Sequence, residues 1–281
     1  AYASKLYRHL PELAQFNQFS KEGSEVAFST IGNASSAEGH FWESVNAIRV
    51  LRCPAVLTIY DDGYGISVAN EHQIAKENIS ELVQGFQRPD GACCDGFDIY
   101  RIRGWDYPAL LSAYQQAAQV AREEHMPSII HVDELTQPQG HSTSGSHERY
   151  KSQDLLGWYK EYDCVAKFRQ WILNFRPGGE AIASEADLDN IEKQARIDVR
   201  TAQKAAWAAF CAPIKEELDE VVTLIDALGT EATSAIANDL RNAMDPGRKD
   251  VMSAARRAML AVQAARASTM DGAEGEALSI W

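Results

Sequence analysis

Two polar residues in glycine-rich surroundings are the side chains of this sequence best placed to do chemistry: Asn33 in Gly32-Asn-Ala-Ser-Ser36, and Asp62 in Asp61-Asp-Gly-Tyr-Gly65. An amide oxygen and a carboxylate are hard donors that suit Mg²⁺, an ion that usually keeps substrate phosphates among its ligands. Ser36 can cap a following helix, whose free N–H groups would stabilise a phosphate. The pair therefore reads as a metal–diphosphate site. A plainer account uses the same residues: Gly63 and Gly65 are turn glycines, and Asn33 and Asp62 only satisfy turn backbone. Spacing alone leaves both open.

The elements around them decide whether the two residues can meet. Val26-Ala-Phe-Ser-Thr-Ile31 is a β-branched and aromatic run that stops at Gly32. Phe41, Val45, Ile48 and Leu51 then recur at helical spacing, and Ala55-Val-Leu-Thr-Ile-Tyr60 is a second apolar run that stops at Asp61. This is strand, helix, strand. A right-handed crossover makes the strands parallel neighbours and brings both loops to one sheet edge, where open α/β sheets take their ligands.

The rest of the chain fits an α/β domain. A helix is expected from Tyr2 to about Gln15, another from Asn78 through Phe86, a strand over Phe97–Arg103, and a helix from Tyr107 to His125 with Leu110, Leu111, Tyr114 and Val120 inward. Pro127–Glu134 reads as a strand of a parallel core, with His131 a satisfied core histidine. A long polar loop follows, from Leu135 to Ser152, and loops of that length in compact domains are functional or disordered. It carries His141 and Arg149, which could reach a phosphate or be incidental. Helices continue from Leu155 to Asn174, with Trp158, Phe168 and Trp171 packing back on the domain.

Pro177-Gly-Gly179 marks a boundary, giving an α/β domain over 1–176 and a helical linking or packing region over 177–281. Trp207, Cys211, Ile214, Leu218, Val221, Ile225 and Leu228 alternate by four and three as in a coiled-coil seam, with Pro213 expected to start a new helix. A further helix is expected over Arg248–Ala265, and the tail Ser268–Trp281 reads as weakly ordered. The net charge of -13 argues against nucleic acid or an anionic membrane as partners. Cys53, Cys93, Cys94, Cys164 and Cys211 lack metal spacing, and a reducing cytoplasm is the simplest setting. No signal peptide or membrane-spanning run is evident. The opening Ala1-Tyr2, without methionine, is compatible with a piece of a longer protein.

Gly32-Asn-Ala-Ser-Ser-Ala-Glu-Gly39, Phe41-Trp-Glu43, Asn46 and Asp61-Asp-Gly-Tyr-Gly-Ile-Ser67 resemble the cofactor motif of the thiamine diphosphate-dependent 2-oxo acid dehydrogenases. The likeness is to the alpha subunit of their first component, or the alpha-like half of a fused bacterial alpha/beta protein. That motif opens with Gly-Asp-Gly and closes with an Asn-Asn pair about thirty residues later. The loop around His141-Ser-Thr-Ser resembles a second family segment. The resemblance implies a thiamine diphosphate-binding fold, with a parallel sheet flanked by helices. It implies Mg²⁺ held by Asn33, Asp62 and the Tyr64 carbonyl, and a cofactor held by Gly32, Asn33, Ala34, Ser35, Asp62, Tyr64, Ile66 and His141. By the same resemblance His141 takes the place of a catalytic family histidine that contacts the cofactor and assists acyl transfer, and Glu43 that of a family acid in the channel between paired cofactors. An amide stands where the family has its acid and an acid where it has its amide, which leaves the ligand charge unchanged.

The reaction so implied is decarboxylation of a 2-oxo acid and reductive acylation of a lipoyl group on a partner acyltransferase. The glutamate that activates the cofactor ring comes from a beta-type subunit or domain in that family, so this chain alone is expected to be incomplete. Two rival readings remain: a transketolase-like enzyme, on the strength of Tyr60-Asp-Asp, and a non-catalytic scaffold with a decayed site.

Overall fold

The computed structural model describes residues 1–89, 95–137, 141 and 146–270, apart from the side chains of 17 and 268–270. Cys93-Cys94, Pro138-Gln139, Ser142–Ser144 and the tail beyond 270 lie outside the described residues. The chain divides into two compact units, Ala1–Glu185 and a second beginning at Ala186.

In the first unit, β1 (Ala27–Gly32) and β2 (Ala55–Tyr60) pair in parallel, Ala27 opposite Ala55 and Gly32 opposite Tyr60. A short hairpin follows, β3 (Tyr64–Gly65) with β4 (Val68–Ala69). β5 (Asp98–Arg103) and β6 (Ser128–Asp133) complete one parallel sheet in the order β1-β2-β6-β5. Every residue of β6 is buried, the pattern of a strand covered on both faces.

Strand alternation sends Ile59 and Ile129 to one apolar cluster, shared with Phe97 just before β5, Phe41 and Val45 of α2 (Gly39–Leu51) and Ile79 and Val83 of α3 (Ile79–Val83). Val56, Ile130 and Val132 meet Ala117 and Ala121 of α4 (Tyr107–Glu124) in another. The fold class is therefore as expected, a parallel α/β sheet flanked by helices.

Several local expectations change. α1 covers only Tyr2–His9, because Pro11 cannot donate to a continuing helix, and a 3-10 segment Pro11–Phe19 follows. The segment from Asn78 is a short α turn capped by the Asn78 side chain, then 3-10 helix over Gln84–Phe86. Leu51 and Leu111 are exposed rather than inward. On α4 the buried stripe is Ala113, Ala117 and Ala121, spaced by four, and these small side chains let the helix approach the sheet closely. Trp158 of α5 (Gln153–Glu161) stacks locally on Tyr162, whereas Phe168 and Trp171 of α6 (Cys164–Asn174) pack back on the domain as expected, 4.4 and 4.8 Å from the Tyr107 ring.

In the second unit α7 runs unbroken over Glu185–Asp226, so Pro213 lies inside a helix rather than starting one. Pro213 is on the solvent side, where the carbonyl it cannot serve can turn to water. Ile214 and Ile225 of the seam, together with Val222 in place of the expected Val221, which is only partly buried, pack against Ile236, Ala237 and Leu240 of α8 (Glu231–Arg241) and Val251, Ala254 and Ala258 of α9 (Arg248–Met270). Trp207 and Leu228, at the ends of the seam, are exposed. α8 is an addition to the expected helices, although Thr230 and Thr233 form a capping box at its start. Among the described residues no helix is long and apolar enough to cross a membrane.

Candidate functional site

Three strand ends are stitched together at the carboxyl edge of the sheet. The Asn33 N–H donates to the Tyr60 carbonyl at 2.9 Å, the Asp61 N–H to Val132 at 2.9 Å, and the Leu135 N–H to Asp61 at 3.2 Å. A cavity of about 560 Å³ opens there. Gly32, Asn33, Ala34 and Ser35 line it from the loop after β1, and Asp62, Tyr64 and Ile66 from the loop after β2. His141 lines it from the loop after β6. The two loops that the sequence placed at one edge do share one cavity.

Glu43 is not among the residues lining it and sits on the exposed face of α2, as does His40. Arg149 is also exposed and outside the lining. Ser36 does not cap α2: it is buried, and its Oγ donates to the Asn33 carbonyl at 2.6 Å, closing the 3-10 turn Ala34–Ala37. The residue preceding α2 is Glu38, which makes no side-chain cap bond. The hydroxyl is used before it could serve the helix.

Asn33 is buried and its Nδ2 donates to Asn70 Oδ1 at 2.7 Å. Asn70 Nδ2 in turn donates to Asp61, at 2.9 Å to Oδ1 and 3.2 Å to Oδ2. Asp61 also accepts the Gly63 N–H at 2.8 Å and a bond from His131 Nε2 at 3.0 Å. His131 Nδ1 is 2.7 Å from Ser80 Oγ, so this buried histidine is fully satisfied, as its place in β6 suggested. Burial alone would raise the Asp61 carboxyl, but the bonds from His131, Asn70 and the Gly63 N–H outweigh it and hold the group below the ordinary aspartate value.

Asp62 behaves differently. Burial pushes its carboxyl up, against the Tyr64 N–H bond at 3.2 Å and the nearby Lys151 charge, both of which favour the anion. Lys151 is itself buried and its pKa is lowered by that burial, with Asp62 opposing. Its ammonium donates to Tyr159 OH at 3.1 Å and lies 4.7 and 4.4 Å from the Tyr64 and Tyr159 ring centroids, a desolvated cation held by aromatic faces. Tyr159 OH donates to the Asp62 carbonyl at 3.1 Å, locking the loop from behind. Lys151 and Asn70 escape a reading of the sequence. Tyr150-Lys151 at the end of the polar loop is a weak signal for the first, and nothing local marks the second.

The donor set tests the fit to a hard divalent ion. Asn33 spends its amide N–H on Asn70, and among the described residues nothing donates to its oxygen. Asp62 is the one carboxylate among the described residues lining the cavity, and burial raises its pKa against the opposing Tyr64 N–H bond and Lys151 charge. Oxygen donors of this kind suit Mg²⁺. Among the described residues no cluster of three or more His, Cys, Asp or Glu that could hold a metal ion occurs, so any ion here rests on amide and carbonyl oxygens beside one carboxylate.

Close packing fixes the second loop against the first. A Cβ on Gly65 would lie 2.7 Å from the Ala34 Cβ and 2.7 Å from Gln73 Oε1. Gln73 is a flexible side chain that can retreat, whereas Ala34 is part of the loop wall. Gly65→Ala should therefore push the β3–β4 hairpin away from Ala34 and weaken ligand binding at the cavity at least about tenfold, on the scale of losing a supporting contact. Unchanged affinity in a titration of the purified variant would show that the two loops are not mechanically coupled.

An α/β unit whose cavity lies outside the carboxyl ends of parallel strands belongs to the class of folds that take a ligand at that edge. Residues 1–215 match the dehydrogenase E1 component family, and the chain belongs to that family. It is similar to the pyruvate dehydrogenase E1 component subunit alpha of Rickettsia bellii, 29% identical over 182 residues, covering 63% of this chain and 49% of that protein. The Rickettsia felis protein of the same description is 28% identical over 184 residues, 64% of this chain and 50% of the relative. That of Staphylococcus aureus is 24% identical over 183 residues, 64% and 45%. The chain spans about half the length of the curated relatives it matches.

Proposed function

We propose that this chain is the alpha-type portion of a 2-oxo acid dehydrogenase. In this reading residues 1–176 bind the diphosphate side of thiamine diphosphate, and residues 177–281 form a helical linking or packing region. The observation that carries it is the convergence of Asn33, Asp62, Tyr64 and His141, from three separate loops, on one cavity at the strand ends. Asn33 Oδ1, the Asp62 carboxylate and the Tyr64 carbonyl hold Mg²⁺. Gly32, Ala34 and Ser35 form the wall facing the diphosphate, and Ile66 supplies an apolar contact. His141 stands over the cavity as a polar group able to contact cofactor and acyl product. The cofactor supplies the carbanion and electron sink, and the chain supplies placement and charge. Glu43, exposed on α2, would meet the cofactor channel only across an interface with another subunit or domain.

A beta-type subunit or domain supplies the group that activates the cofactor ring, and a lipoyl-bearing acyltransferase receives the acyl group. The family match favours this over a transketolase-like reaction. Dye reduction by branched and straight 2-oxo acids tests the proposal. Almost no turnover is expected from the chain alone, with turnover appearing when a beta-type partner is added. Robust turnover without a partner would refute the division of labour. No cofactor binding even with the partner would make the chain a scaffold.

A further inference from the structure

The hydrogen-bond chain behind Asn33 has a direction, and one residue sets it. The Asp61 carboxylate can only accept, and it accepts from the Gly63 N–H, from Asn70 Nδ2 and from His131 Nε2. Asn70 must therefore turn its NH2 toward Asp61, which leaves its oxygen toward Asn33. Asn33 must then give its NH2 to Asn70, at 2.7 Å, which leaves its own oxygen for the cavity. An amide placed by shape alone could present either end. Here the reverse arrangement would set the Asn70 oxygen against a buried carboxylate, an unpaired contact of the costliest kind.

We infer that Asp61, acting through Asn70, is the positioning device that aims the Asn33 oxygen into the cavity, and that the amide at 33 and the acid at 61 form one exchangeable unit. The inference deepens the cofactor reading above and rests on it for the identity of the ion. It gives a physical reason for the amide at 33. A carboxylate there, with Asp61 in place, would leave Asn70 between two acceptors with one NH2 to offer. Exchanging the two side chains reverses the chain while keeping Asn70 paired at both ends. The amide then at position 61 keeps its oxygen for the Gly63 N–H and turns its NH2 to the Asn70 oxygen and to His131 Nε2, which becomes an acceptor once its Nδ1–H donates to Ser80 Oγ, and the Asn70 NH2 donates to the acid then at position 33.

The test is a mutant cycle read in two ways. Asn33→Asp alone is expected to lower the melting temperature of the unliganded protein by about 5 °C, and Asn33→Asp with Asp61→Asn to recover most of that loss. Asn70→Leu is expected to weaken Mg²⁺-dependent thiamine diphosphate binding, titrated with the beta-type partner present, by about 10- to 100-fold. In the unliganded wild type the Asn33 side-chain amide protons should exchange slowly, and in Asn70→Leu rapidly. Equal melting of the single and double variants, or fast Asn33 amide exchange in the wild type, would overturn the relay. A wild type that shows slow exchange and mutant coupling yet binds no cofactor would support the relay and defeat the cofactor reading.

Discussion

Asp62→Asn should lower Mg²⁺-dependent thiamine diphosphate affinity by about 100-fold or more, beyond the loss typical of an outer-sphere group, while making the unliganded protein more stable at neutral pH. The two effects share a cause. Asp62 is the one carboxylate among the described residues lining the cavity, and burial raises its pKa. A carboxyl whose folded pKa lies above its unfolded value, about 3.9, binds its proton more readily in the folded state. Its stabilising contribution is complete below the unfolded pKa and is lost as pH rises through the folded one. At pH 7 the group is therefore a cost that a bound cation would relieve. The variant should melt higher than the wild type at neutral pH and the difference should shrink on acidification. A variant that melts lower at pH 7 would mean that Lys151 compensates Asp62 fully.

His131→Leu should destabilise the first unit by about 2–3 kcal/mol, the scale for removing a buried bond to a charged group. The leucine fills a similar space, so the loss reports the missing bonds to Asp61 and Ser80 more than a cavity. Burial pushes Asp61 up, and His131, Asn70 and the Gly63 N–H together bring it below the ordinary value. Such a depressed carboxyl contributes stability that is present above the unfolded aspartate pKa and is lost as pH falls through the folded one. Urea denaturation of the variant should show the loss at neutral pH and a shallower fall of stability in acid. A loss under about 0.5 kcal/mol, the range of ordinary surface changes, would mean that Asn70 and Gly63 suffice to hold Asp61.

What the sequence made legible is what short-range pattern controls. Apolar and β-branched runs marked all four sheet strands, and the carboxyl-edge rule then joined Asn33 to Asp62 across 29 residues of chain (62 minus 33). That same rule, applied to the end of β6, would have added Leu135 and Thr136 to the cavity wall. The exposure of Glu43 was also readable: it lies midway between the buried Phe41 and Val45 on α2, and so on the opposite face. Asn70 and Lys151 were not readable, because their value lies in contacts with Asn33, Asp61 and Tyr159 that tertiary packing creates and no spacing announces. Pro213 misled because local propensity predicts a break, whereas packing of Ile214, Val222 and Ile225 on α8 and α9 holds the helix through it.

The Asn33 and Asp62 oxygens should grip one divalent ion beside a diphosphate. Crystals of the protein grown with Mn²⁺ and thiamine diphosphate, and measured at the manganese edge, test it directly. One anomalous peak is expected at coordination distance from Asn33 Oδ1, an Asp62 carboxylate oxygen and the Tyr64 carbonyl. Cofactor bound with the metal elsewhere, or a peak that Asn33 faces with its NH2, would contradict it.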